Sequence, residues 1–352
     1  MSAAEGGNPE YVTARVRSRR RKLFDEDQYR DLVRMGPSEI ARFMEETEYG
    51  EEINRMGARY SGVDLIEYAL NRNQARHFAD LLRFAEGRLY DLIARYLRKF
   101  DDWNVKTVVR GLYSGAAPGE IRSDLILAGE LGEGDLDELI DAGSVEGVVE
   151  ALEDTVFGEG LEAAYADFEA TNSLVPVENA IDRAFYESLL RGLQEEGEAV
   201  GPATELYVEF LQAEVDFLNV RNALRTARTG AGLDPGDYFI EGGRLFSASE
   251  LSTLAENTDE LVARVRESTY GDELDEALDG LEDAASLVEF ETAVDRALLA
   301  YADRLSSRYP LSVCPVLAYV VAKEREVTNV RAIARGKEAG LPPEEIAEEL
   351  VT

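Results

Sequence analysis

The chain has 352 residues, 45% of them hydrophobic, which is enough to bury a large core and excludes a disordered chain. Acidic residues outnumber basic ones 71 to 37, a net charge of −34, so the surface repels nucleic acid and bulk anionic lipid. One cysteine and one histidine exclude an internal disulfide and a Cys/His zinc cluster.

No apolar run approaches the roughly 20 residues of a membrane span, and the N-terminus lacks the apolar stretch of a signal peptide, so a cytoplasmic location is expected. The acids are spread along the whole chain. A functional acidic tail would gather them in one block. The dispersal reads instead as adaptation to a salt-rich cytoplasm, in which dense carboxylates stay hydrated and screened.

In chain order, the first feature is a basic cluster, Arg15, Arg17, Arg19, Arg20, Arg21 and Lys22. Two readings stand side by side: a contact for anionic lipid or an acidic partner, and an exposed helix face paired with neighbouring acids. Thr47-Glu48-Tyr49-Gly50 follows, and then Glu67 with Asn71-Arg72. His77 lies in a helical stretch and is expected on a helix surface rather than in a catalytic system. Leu92, Ile93, Tyr96, Leu97 and Phe100, spaced by three and four, mark the apolar face of a helix. Next comes FDDWNVKTVVRGLYSG, closed by Gly115, with Pro118 just beyond. The glycine fits a helix stop. The glycines of residues 129–134 are not a phosphate loop, and GxxxxGK[ST] is absent from the chain, so nucleotide hydrolysis is not expected.

The same series then recurs. Thr155-Val156-Phe157-Gly158 precedes Glu178 with Asp182-Arg183. A helix face of Leu206, Phe210, Leu211 and Val215 leads into EVDFLNVRNALRTARTG. Asp234-Pro235 reads as an N-cap with proline at the first helical position. A third round brings Thr269-Tyr270-Gly271, aligned here as one residue shorter, and Glu291 with Asp295-Arg296. Cys314 reads as a small buried apolar residue. EREVTNVRAIARGKEAG and Pro342-Pro343 end the round.

Anchored on Asn104, Asn219 and Asn329, the three segments share an acid at −3 (Asp101, Asp216, Glu326) and valine at +1. They share a base at +2 (Lys106, Arg221, Arg331), arginine at +6 (Arg110, Arg225, Arg335) and glycine at +11 (Gly115, Gly230, Gly340). The asparagines are 115 and 110 residues apart, too far for helix-pair solenoids and suited to a multi-helix unit. An all-α chain of three homologous units is expected, with units at 1–125, 126–240 and 241–352. Strand-length β-branched alternation is nearly absent.

The repeated polar residues fit a buried asparagine and an arginine–acid network that lock helices together, in preference to a ligand site. No catalytic, cofactor-binding or metal residue is assigned. A helical carboxylate metalloenzyme would need Glu-x-x-His pairs, and one histidine cannot supply two. A free-standing helical adaptor for soluble partners fits the same sequence.

The three Asn-Val-(Lys/Arg) motifs, the Thr-x-(Tyr/Phe)-Gly signatures and the Glu-xxx-(Asp/Asn)-Arg helices, in one order from about Tyr11 to Val351, resemble the C subunit of archaeal A-type rotary ATPases, related to the d subunit of vacuolar ATPases. The resemblance implies a helical funnel of three units about a pseudo-threefold axis. It implies a non-catalytic connector between the central shaft and the membrane rotor ring of proteolipid subunits in a proton- or sodium-translocating synthase. It places the chain peripherally on the cytoplasmic face. Asn71 departs from the aspartate of the other two copies, so the first copy is expected to lack one ion pair. Acidity and scarce lysine point to a halophilic archaeon.

Overall fold

The computed structural model describes residues 7–195, 202–228, 234–271, 279 and 287–351. Among them the regular structure is helical, with no strand. The chain divides into two compact units. One comprises Met1–Leu97, Ser123–Gly129 and Ala302–Thr352; the other comprises Arg98–Arg122 and Glu130–Tyr301.

In the first unit the long helix Cys314–Glu338 packs along Gly62–Phe84 and against Pro9–Arg20. Three short helices, Glu26–Leu32, Pro37–Glu45 and Gly50–Met56, complete the core. There Leu32, Ile40, Met44, Tyr49, Ile66 and Leu70 meet Val330, Ile333 and Ile346. The short helices start where the sequence supplies a cap. Asp25 accepts from Gln28 N while Gln28 accepts in return from Asp25 N, and Glu39 accepts from Gly36 N. Cys314 is buried, as expected.

In the second unit Lys99–Ser114 packs against Glu133–Asp141, Val145–Leu152 and Val175–Glu195. Pro202–Arg228 packs on Val175–Glu195, on Ala248–Leu254 and on the 3₁₀ turn Pro235–Tyr238. Asp234 caps that turn at Gly236 N, with Pro235 at its first position.

Two of the three helix stops are described. Gly115 (φ 74°) and Gly340 (φ 77°) are left-handed. The next residue donates back five positions in both, Ala116 N to Gly111 O and Leu341 N to Gly336 O, each at 2.9 Å. Gly230 lies outside the described residues. The stops share a further pair that the aligned columns do not contain. A Cβ on Gly111 would meet Ile121 Cγ1 at 2.5 Å, and one on Gly336 would meet Ile346 Cγ1 at 2.8 Å. In each case the short helix after the stop seats its isoleucine on a bare glycine.

Candidate functional site

The anchoring asparagines all lie in long helices and are buried, Asn104 at 0% exposure and Asn219 and Asn329 at 2%. Asn219 Nδ2 donates to Ile240 O at 2.9 Å, and Ile240 N donates back to Oδ1 at 2.9 Å. Asn329 treats Val351 the same way, at 2.8 and 3.0 Å. Each amide thus holds a peptide about twenty residues downstream by both of its backbone groups. Asn219→Ala would leave both backbone groups of buried Ile240 unpaired. The expected loss is about 2–4 kcal/mol, at roughly 1–3 for each orphaned group. Denaturant midpoints at fixed molar salt check it; a loss below about 0.5 kcal/mol would mean that water replaces the amide.

The acid three residues before each asparagine also holds backbone. Asp101 accepts from Glu130 N and Leu131 N at 2.8 and 2.9 Å. Asp216 accepts from Arg244 N and Leu245 N. Glu326 accepts from Phe24 N at 2.6 Å. Asp216 also receives the Tyr270 hydroxyl at 3.2 Å, and Glu326 the Tyr49 hydroxyl at 2.6 Å. Phe157 stands at the corresponding signature position and has no hydroxyl to give. Burial pushes the Asp101 and Asp216 carboxyls up, and the amide donors oppose it.

The basic positions pair in a fixed pattern. Arg110 grips Glu178 with two bonds, at 2.6 and 2.9 Å. Arg225 bonds Glu291 at 2.7 Å, and Arg335 bonds Glu67. At +2, Lys106 pairs with Asp182, Arg221 with Asp295 at 3.9 Å, and Arg331 Nη2 with Asn71 Oδ1 at 2.6 Å. Asn71 therefore offers a neutral acceptor to the guanidinium where the other copies have an ion pair, as expected from its sequence. The first copy's asparagine helix binds the second copy's acidic helix, the second binds the third's, and the third binds the first's. The tyrosine–acid bonds follow the same order. Lys106 also meets Asp102 at 2.8 Å. Burial pushes Asp102 up to about 7, while Lys106 holds Asp182 down.

The signature turns are alike in all three copies, with one correction to the sequence alignment. Thr47 Oγ1 donates to Met44 O and accepts from Tyr49 N; Thr155 does the same with Leu152 O and Phe157 N. In the third copy the residue in this role is Ser268, bonded to Val265 O and Tyr270 N. The signature is therefore Ser268-Thr269-Tyr270-Gly271, with no residue missing. The turn uses the hydroxyl and not the threonine methyl, so serine serves. A Cβ on Gly50, Gly158 or Gly271 would meet the carbonyl oxygen five residues earlier at 2.3, 2.1 or 1.7 Å. That contact fixes the glycine.

His77 corrects a second expectation. It is not on the surface but 2% exposed, with Nδ1 2.5 Å from Tyr319 Oη. Burial, reinforced by Lys323 and Arg19, pushes its pKa down to about 2, so it is neutral. One step further along the helix lies Lys323, 1% exposed, whose Nζ donates to Glu326 Oε1 at 2.7 Å and Tyr49 Oη at 2.8 Å. Lys323 lies outside the aligned columns, so the repeat did not single it out. The basic cluster divides: Arg19 pairs with Asp80, Arg20 with Asp303 and Lys22 with Glu48, whereas Arg15, Arg17 and Arg21 face outward.

The arrangement is one of mutual clamping. Most of its described polar groups bond each other or backbone, whereas Asp102 Oδ1 and Arg221 Nε are buried without a hydrogen-bond partner. Among the described residues no His, Cys, Asp and Glu side chains form a group able to hold a metal, and no helix is long and apolar enough to cross a membrane.

Known proteins are similar to this chain along nearly its whole length. The C subunit of the A-type ATP synthase of Haloferax volcanii is 62% identical over 351 residues, covering 100% of this chain and 99% of that one. Its counterpart in Halobacterium salinarum is 58% identical over 100% and 99%. The counterpart in the methanogen Methanococcoides burtonii is 34% identical over 99% and 96%. Residues 12–349 match the ATP synthase (C/AC39) subunit family, to which this chain, with its triplicated helical clamp, belongs.

Proposed function

We propose that the chain is the non-catalytic central-stalk connector of an A-type ATP synthase. In this reading it links the soluble rotor shaft to the membrane ring of proteolipid subunits and transmits torque. It sits peripherally on the cytoplasmic face and consists of three homologous units, 1–125, 126–240 and 241–352, about a pseudo-threefold axis in a funnel. The observation that carries the reading is the cyclic order of the clamps: Arg110 to Glu178, Arg225 to Glu291, Arg335 to Glu67. A connector under torque must resist shear, and helices tied to one another by ion pairs and packed to interior density do so. The family's members are structural subunits of the complex, and the clamps engage the repeated polar groups in holding the fold rather than in chemistry.

The test is reconstitution. Synthase assembled without this chain is expected to keep ATP hydrolysis in its soluble head while losing ATP-driven ion pumping in vesicles. Adding the purified chain back restores pumping. Coupled synthesis in vesicles shown by mass spectrometry to lack the chain would overturn the reading, as would ATP hydrolysis by the purified chain alone.

A further inference from the structure

The outward face of Pro9–Arg20 gathers positive charge on a chain whose net charge is −34. The inward residues of this helix are Val12, Thr13 and Val16, all buried. Arg19, Arg20 and Lys22 serve the fold through their pairs with Asp80, Asp303 and Glu48. Arg15 serves it through ring contacts, donating Nε to Tyr11 Oη at 3.2 Å and lying over the Phe84 ring at 5.3 Å. Arg17 and Arg21 are exposed and enter no ion pair among the described residues. Arg15 is exposed and lies over the Tyr11 ring at 5.1 Å.

Helical spacing sorts these side chains into two rows. Arg17 and Arg21, four apart, form one ridge; Tyr11 and Arg15, four apart, form the other. Ala14 and Ser18, both small and exposed, lie between them, and exposed Glu10 stands at the N-terminal end of the Arg17 side, so the C-terminal half of the face is a shallow trough with basic walls. Tyr11 is 46% exposed. Leu311, 59% exposed, follows Pro310, whose carbonyl accepts from Thr13 Oγ1 at 3.0 Å, and adds apolar surface beside the helix.

We propose that this trough docks an acidic segment of another subunit of the synthase, one carrying Asp or Glu at helical spacing. Charge complementarity selects an anionic occupant. The geometry selects a single narrow segment over a membrane: a flat anionic surface would meet the chain's dispersed carboxylates as well as these three bases. The side-chain type agrees. In molar salt the Debye length is about 3 Å, so only direct contact survives, and guanidinium forks bind carboxylates directly with two bonds. The proposal needs only that the chain is part of the complex. It does not depend on the connector placement, so it and the reconstitution test fail independently.

The test uses the assembled synthase carrying benzoylphenylalanine in place of Ser18, irradiated in molar KCl, with crosslinked peptides mapped by mass spectrometry. The expected product joins position 18 to a net-negative segment of a different subunit. Adding Arg17→Glu and Arg21→Glu should cut its yield at least tenfold. Both side chains are exposed, so circular dichroism of the double variant should match the parent and separate lost docking from lost folding. A crosslink to lipid, a crosslink to a neutral or basic segment, or no crosslink outside this chain would overturn the proposal. So would a yield unchanged by the double substitution.

Discussion

Lys323→Met is expected to destabilise the protein by about 3–5 kcal/mol, the usual cost of removing one partner from a buried ion pair. Lys323 and Glu326 are 1% and 2% exposed. The ammonium bonds the carboxylate at 2.7 Å and lies 4.1 Å from the centre of the Tyr49 ring. Without it, Glu326 stays buried with only Phe24 N and the Tyr49 hydroxyl, both at 2.6 Å. Two neutral donors do not offset the desolvation of a full charge.

The intact pair, by contrast, is close to break-even. Burial pushes Lys323 below its ordinary pKa even though Glu326 pulls it up, in keeping with buried pairs whose desolvation roughly cancels their attraction. The double variant Lys323→Met/Glu326→Gln should therefore recover most of the loss. The glutamine carbonyl keeps one of the two donors, and no charge is left stranded. Denaturant midpoints of the two single variants and the double close the thermodynamic cycle. A Lys323→Met loss under about 1 kcal/mol, or a double variant worse than the single, would show that water reaches the site and screens Glu326.

This pair shows where sequence reading stops. The columns built on Asn104, Asn219 and Asn329 were legible because the residue types repeat, and their burial follows from polar groups that can satisfy one another. Partner identity was not legible. An alignment says that Arg110, Arg225 and Arg335 correspond; it does not say that Arg335 closes on Glu67, 268 residues away. His77 was misplaced for the same reason. Local spacing shows that a helix has faces, but what covers this face is Tyr319, 242 residues away. Ser268 escaped because the alignment matched threonine to threonine, whereas the turn selects a hydroxyl. The position of Lys323, six before the anchor asparagine, holds Arg98 and Ala213 in the other copies, so no shared column marked it. The left-handed glycines of the two described stops were legible, because a left-handed residue after a helix selects glycine whatever lies beyond it, whereas the isoleucines seated on Gly111 and Gly336 were not.

Dilution of salt is expected to unfold this protein, and the sign of the effect separates two kinds of electrostatics. Local ion pairs such as Arg110–Glu178 strengthen as screening falls, so a fold governed by them would melt higher in dilute salt. Net charge acts in the opposite sense. If every one of the 37 bases were paired with an acid, 34 carboxylates would remain unopposed. Their repulsion reaches about 3 Å at 1 M ionic strength and about 30 Å at 0.01 M, which is comparable to the size of a domain. Exposed pairs contribute only about 0–1 kcal/mol each and already exist at high salt, so their gain on dilution is small. Repulsion among dozens of charges grows with every pair of them that the longer range connects. The midpoint of thermal unfolding, followed by circular dichroism, should fall steadily from molar to 10 mM KCl, and helical signal should be lost at the dilute end. With about 2.1 cal/mol/K of unfolding entropy per residue, each 1 kcal/mol moves that midpoint by roughly 1–2 °C in a chain of this length, so a loss of several kcal/mol is measurable. Sucrose at matched osmolality should restore less of the signal than KCl does, because it favours burial without screening charge. A midpoint that holds or rises on dilution would mean that the clamps, and not the net charge, set the salt response.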